Sequence, residues 1–204
     1  MILAVAGTLL AAGVAWATHI DNIVPTATYN HACDEGSVDG GGTLCRTDNG
    51  AVYYYMDSNG DFELEAGDRS VVRNMLSAQY SPTDLAIHYD STPVFSGSGE
   101  TDIIYQEGAV PGSADGINWC NDDSPSPTYE CDQQYIRIQG AGDYTPGLSC
   151  HETGHAVGLT HGAQASPVVS QTNDALGCMQ TPVSFSEPLG ANQSSNINAV
   201  YARP

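Results

Sequence analysis

At 204 residues the chain is long enough to bury the core of one domain. Twenty-four acids stand against five arginines and no lysine, a formal net charge of -19, which disfavours nucleic acid and anionic membranes as partners because both attract basic surfaces. Hydrophobic residues make up 41% and are spread along the chain, so the composition also excludes a disordered polyacid.

The chain opens on an uncharged apolar run, Ile2 to Val14, followed by Ala15-Trp16-Ala17, the small-x-small pattern of a signal-peptidase site. The run is short for a membrane span. Residues 1–17 therefore read as a signal peptide, and the mature protein as a secreted, extracellular chain starting near Thr18 with no membrane association. A buried N-terminal helix or a membrane anchor is the alternative. Six cysteines fit export: Cys33, Cys45, Cys120, Cys131, Cys150 and Cys178. Their connectivity is open, and pairing of sequence neighbours is the simplest solution.

Residues 18–50 are rich in Gly, Asp and Thr and read as an N-terminal segment closed by Cys33 and Cys45. Residues 51–204 form the main domain. Val52 to Asp57 has the aromatic and β-branched character of a strand. The turn DSNGDF follows; it spaces Asp57, Asn59 and Asp61 like a calcium loop but puts Phe62 where that loop needs glycine, so it reads as an ordinary turn. Calcium stays a possible ligand elsewhere, with Asp115, Asp122 and Asp123 as candidates. Glu65 to Tyr80 repeats Val71, Val72, Met75, Leu76 and Gln79 at helical spacing, and Ser81-Pro82 ends it. Asp84 to Ser91 alternates as a strand with Leu85, Ile87 and Tyr89 on one face. Thr101 to Gly108 and Gln134 to Gly140 are further strands, and a short edge strand is expected near Gly116 to Trp119. Pro146 opens a helix. A polar loop runs to about Ser184, and Ile197, Val200 and Tyr201 mark a last helix. Asn192-Gln193-Ser194 is a glycosylation sequon. The element order is that of an α/β or α+β domain.

The helix after Pro146 carries SCHETGHAVGLTHG, Ser149 to Gly162. His151 and His155 lie four apart, on one helical face, where two imidazoles can share one metal ion. Glu152 stands one position aside and can reach a water at that ion as general base. Gly158 can take positive φ, end the helix and swing the chain round, so that His161 returns as a third ligand. Three neutral imidazoles suit zinc and leave an open position for catalysis, with copper, nickel and iron as alternatives by ligand type alone. His19, His31 and His88 are isolated and read as surface or packed histidines.

HETGHAVGLTH resembles H-E-x-x-H-x-x-G-x-x-H, the zinc signature of the metzincin clan of metalloendopeptidases. LGCMQTP, Leu176 to Pro182, is similar to the clan's downstream methionine turn. The resemblance implies His151, His155 and His161 as zinc ligands, Glu152 as base, Gly158 as the turn and Met179 as the hydrophobic floor. It implies a mixed twisted sheet with a backing helix, an active-site helix and a C-terminal helix, and residues 51–204 as a metalloprotease catalytic domain with a matrixin-like layout as one option. It further implies that Cys150 and Cys178, each preceding a site residue, approach one another, and that substrate pairs with an edge strand within Gly108 to Trp119. Gly162 after the third histidine and Thr181 two residues after the methionine match no particular subfamily, and HACDEG around Cys33 does not match a cysteine switch.

The resulting expectation is a secreted, monomeric zinc endopeptidase acting on protein or peptide substrates. The alternatives are a zinc hydrolase of a non-protein substrate and a non-catalytic secreted zinc-binding module, against which the intact Glu152 argues.

Overall fold

Among the described residues six strands build one sheet, parallel except for one antiparallel pair. In this computed structural model, residues 19–40, 42–97, 99–123, 128–140 and 142–202 are described; the expected signal peptide, residues 1–17, lies outside them. The strands are β1 (Arg46–Thr47), β2 (Ala51–Met56), β3 (Ala86–Tyr89), β4 (Ile103–Glu107), β5 (Gly116–Asp123) and β6 (Glu130–Ile138). Their order is β1-β6-β4-β2-β3, all pairs parallel, with β5 antiparallel to β6. The class is the mixed α/β one read from the element order, with a backing helix α1 (Ala66–Met75), a central helix α2 (Pro146–Ala156) and a C-terminal helix α3 (Ala191–Val200).

The core lies where helices meet sheet. Ile103, Tyr105, Ile136 and Ile138 from the central strands pack with Val72, Met75, Leu76 and Tyr80 from the backing helix. Each buried aliphatic side chain contributes about 1.5–3 kcal/mol by leaving water. Beyond Met75 the backing helix widens into a π turn, Leu76–Tyr80, which brings wholly buried Tyr80 against α2. The face expected to unite Leu85, Ile87 and Tyr89 is only partly internal: Leu85 is buried, whereas Tyr89, on the edge strand β3, meets the Tyr54 ring and is otherwise exposed.

α2 starts as its sequence dictates. Thr145 caps it by accepting from the Leu148 N–H, and Pro146 occupies the first turn, where no N–H is required. The helix is buried on every side from Gly147 to Ala156. Its polar groups are accordingly bonded inside: Tyr80 Oη donates to the Cys150 carbonyl at 2.6 Å, and Tyr105 Oη meets Thr153 Oγ1 at 2.8 Å.

Three disulfides close the described chain: Cys33–Cys45, Cys120–Cys131 and Cys150–Cys178. Among the described residues no helix is long and apolar enough to cross a membrane. The Asn192 amide of the sequon is engaged in structure. It accepts from the Ile20 N–H and donates to the Ile20 carbonyl, at 3.0 and 2.7 Å.

Candidate metal centre

His151 and His155 project from successive turns of α2, and His161 returns to them from the segment beyond its C-terminus. The return depends on Gly158. Its φ of 91° lies in the left-handed region, and a Cβ there would fall 2.6 Å from the Arg46 Cβ. The three Nε2 atoms converge to 3.2, 3.1 and 3.0 Å of one another.

Hydrogen bonds define which nitrogens carry protons. His151 Nδ1 lies 2.6 Å from the Cys178 carbonyl and His155 Nδ1 lies 2.9 Å from the Leu159 carbonyl. A carbonyl only accepts, so both Nδ1 atoms are the donors and both Nε2 atoms present lone pairs. The His151–His155 contact is therefore lone pair against lone pair inside a buried site, an arrangement that a shared cation resolves. Four-coordinate zinc with imidazole bonds of about 2.0–2.1 Å spaces its nitrogens about 3.3 Å apart, close to what is found. The donor set thus fits a zinc ion. Burial also favours ligation: it lowers the His151 pKa to about 4, helped by His161, and lowers those of His155 and His161 as well, favouring the neutral, ligating form of each ring.

Glu152 lines the same cleft, which measures about 570 Å³. Burial, with the Asp115 carboxylate adding, pushes its pKa up to about 8. A cation held by the histidines opposes both effects. The cleft is lined also by Gly116, Ile117 and Asn118 of β5 and by Leu148, Pro182 and Val183. The edge strand expected near Gly116 to Trp119 runs on to Asp123 as one arm of the hairpin closed by Cys120–Cys131. From the segment between Gly162 and Pro182, Gln164, Thr181 and Pro182 reach the cleft.

Met179 is wholly buried beneath α2. A Cβ on Gly154 would fall 2.3 Å from its Sδ, so the second variable position of HETGH has to be small. Sequence reasoning passes over Gly154 because the zinc motif leaves that position free. Gly162 has a similar cause: a Cβ there would lie 2.7 Å from the Val169 and Ser170 carbonyls. The Cys150–Cys178 bond ties α2 to the turn whose carbonyl holds His151.

The other candidates lie elsewhere. His88 stacks on Tyr53 and His31 meets Tyr29 edge-on. In the DSNGDF turn, the Asp57 carbonyl accepts from the Leu64 N–H, and Phe62 packs under the Arg137 guanidinium. Asp122 and Asp123 gather with Glu35, and Asp115 instead stands beside Glu152.

No protein-family model and no curated protein sequence matches the chain. Among solved structures it is similar to that of myroilysin, at 16% identity and a TM-score of 0.45, over 78% of this chain and 97% of that one. A likeness of that size leaves the site's own geometry to carry the chemistry.

Proposed function

We propose that the chain is a secreted zinc-dependent endopeptidase of metzincin type, with His151, His155 and His161 as zinc ligands and Glu152 as general base. The observation that carries this reading is the convergence of three Nε2 atoms within 3.2 Å on the cleft that Glu152 also lines. The HETGHAVGLTH signature and Met179 under the helix agree with it. Zinc, when bound, supplies Lewis acidity that lowers the pKa of water and polarises a carbonyl.

The protein's own residues do the rest. The Cys178 and Leu159 carbonyls hold the His151 and His155 rings in the ligating tautomer. Glu152 accepts a proton from the attacking water and returns it to the departing amine nitrogen as the C–N bond breaks. No side chain is acylated. The β5 edge presents backbone groups from Gly116 to Asn118 for an extended peptide to pair with, while its continuation is occupied where the Cys120 carbonyl accepts from Gly36. Three disulfides suit an oxidising, extracellular setting. Incubation with casein tests the function: cleavage is expected, abolished by a zinc chelator and restored by added zinc. Bound zinc with no cleavage of casein or gelatin would contradict it.

A further inference from the structure

Beyond Ala156 the Val157, Gly158 and Leu159 N–H groups still return to helix carbonyls, at Thr153, His155 and Gly154, but the Gly158 carbonyl and the Thr160 N–H lie past the helix and need other partners. The N-terminal segment supplies them. Val24 N–H donates to the Gly158 carbonyl and Thr160 N–H to the Asn22 carbonyl, while Asp21 and Ser166 exchange both bonds at 2.9 and 2.7 Å. Ile23 bridges Leu159 in the same antiparallel sense. The strap thus lies against the segment that carries His161 and that offers the Leu159 carbonyl to His155.

One side chain fastens the strap. Asn22 is wholly buried. Its Nδ2 donates to the Thr160 carbonyl at 2.8 Å, one residue before His161. Its Oδ1 accepts from Asn196 Nδ2 of α3 at 2.7 Å, and the same Nδ2 donates to the Ile20 carbonyl at 2.8 Å. The amide therefore links α3, the strap and the third-ligand segment, with a donor on one side and an acceptor on the other.

We infer that Asn22 is a positioning residue for the metal centre: through Thr160 it fixes the backbone that aims His161, beside the Ile23–Leu159 bridge whose Leu159 carbonyl holds His155. The inference rests on the proposed zinc site. It gives the N-terminal segment a share in the chemistry, although it lies far from the motif in sequence.

Asn22→Asp tests it. Aspartate has the same shape and still accepts from Asn196, and assayed at about pH 9, above the raised pKa that burial gives a carboxyl at this wholly buried position, its ionised carboxylate cannot donate to Thr160. Three quantities are read for wild type and variant: zinc affinity by chelator competition, the melting temperature of the metal-free protein, and kcat and KM on casein-derived peptides. Groups that orient ligands change metal affinity by about 10- to 100-fold, and the expected loss lies at the lower end, about tenfold, with kcat falling at unchanged KM. Asn192→Ala loosens the strap at Ile20 without touching residues 158–166; it should lower the melting temperature and leave zinc affinity at the wild-type value. Where Asn22→Asp does not fold, Asn22→Ser, too short to reach Thr160, makes the same comparison. Wild-type zinc affinity in the Asn22 variant, or an equal loss in Asn192→Ala, overturns the inference while the proposed function stands. A wild-type chain that takes up no zinc overturns both.

Discussion

Gly154→Ala sets two effects against each other inside α2. Alanine exceeds glycine by about 1 kcal/mol in a helix interior, so an unhindered substitution stabilises. Here the new Cβ would lie 2.3 Å from Met179 Sδ and 3.3 Å from Tyr80 Oη. The sulfur belongs to a wholly buried side chain, and Tyr80 is held by its bond to the Cys150 carbonyl, so neither yields cheaply. Overpacking a dense interior costs about 1–3 kcal/mol, and a contact this short belongs at the upper end of that range. The balance is a net loss of about 1–2 kcal/mol, or about 3–6 °C in melting temperature for a chain of this size. Met179 also follows Cys178, whose carbonyl holds His151, so zinc affinity should fall in the same variant. Thermal unfolding of the metal-free, disulfide-intact protein measures the first effect and a zinc titration the second. A Gly154→Ala protein that melts above wild type would refute the packing argument.

Two further outcomes follow from the site and the sheet. Glu152→Gln keeps side-chain volume and the three histidines; zinc content should match wild type while kcat falls by about 10²–10⁴, and near-normal turnover would remove Glu152 from the mechanism. Asp102 is raised from 3.8 to about 7, chiefly by burial, with the Asp48 and Asp132 carboxylates adding and the Tyr53 N–H opposing. The folded chain therefore binds a proton that the unfolded chain has lost between about pH 4 and 7. Stability should fall as pH rises through that window, by at most about 1.4 kcal/mol per pH unit. Asp102→Asn still offers an acceptor to the Tyr53 N–H and should flatten that slope in denaturant titrations; an unchanged slope would assign it to other groups.

The sequence is most legible where function constrains it locally. His151, His155, Gly158 and His161 stand at spacings that a helix and one positive-φ turn convert directly into convergence. The backing helix is also legible, because it buries one face; α2 is buried all round and shows no apolar periodicity, so the zinc motif and Pro146 mark it instead. β5 and β6 extend beyond their alternating cores into polar, disulfide-closed sequence, where register shifts interrupt the pattern. The two-residue β1 and the Asp21–Val24 strap leave no local signal, since each is defined by partners far along the chain. Gly154 and Gly162 show the same limit: their need for smallness comes from Met179 and from the Val169 and Ser170 carbonyls, which only the folded chain brings near.

X-ray absorption at the zinc edge, on protein folded with one equivalent of zinc, tests the account most directly. Three imidazole nitrogens at about 2.0–2.1 Å are expected, reduced to two in His161→Ala. A coordination sphere of carboxylate oxygens, or one that His161→Ala leaves unchanged, would contradict the claim that these three histidines hold the ion.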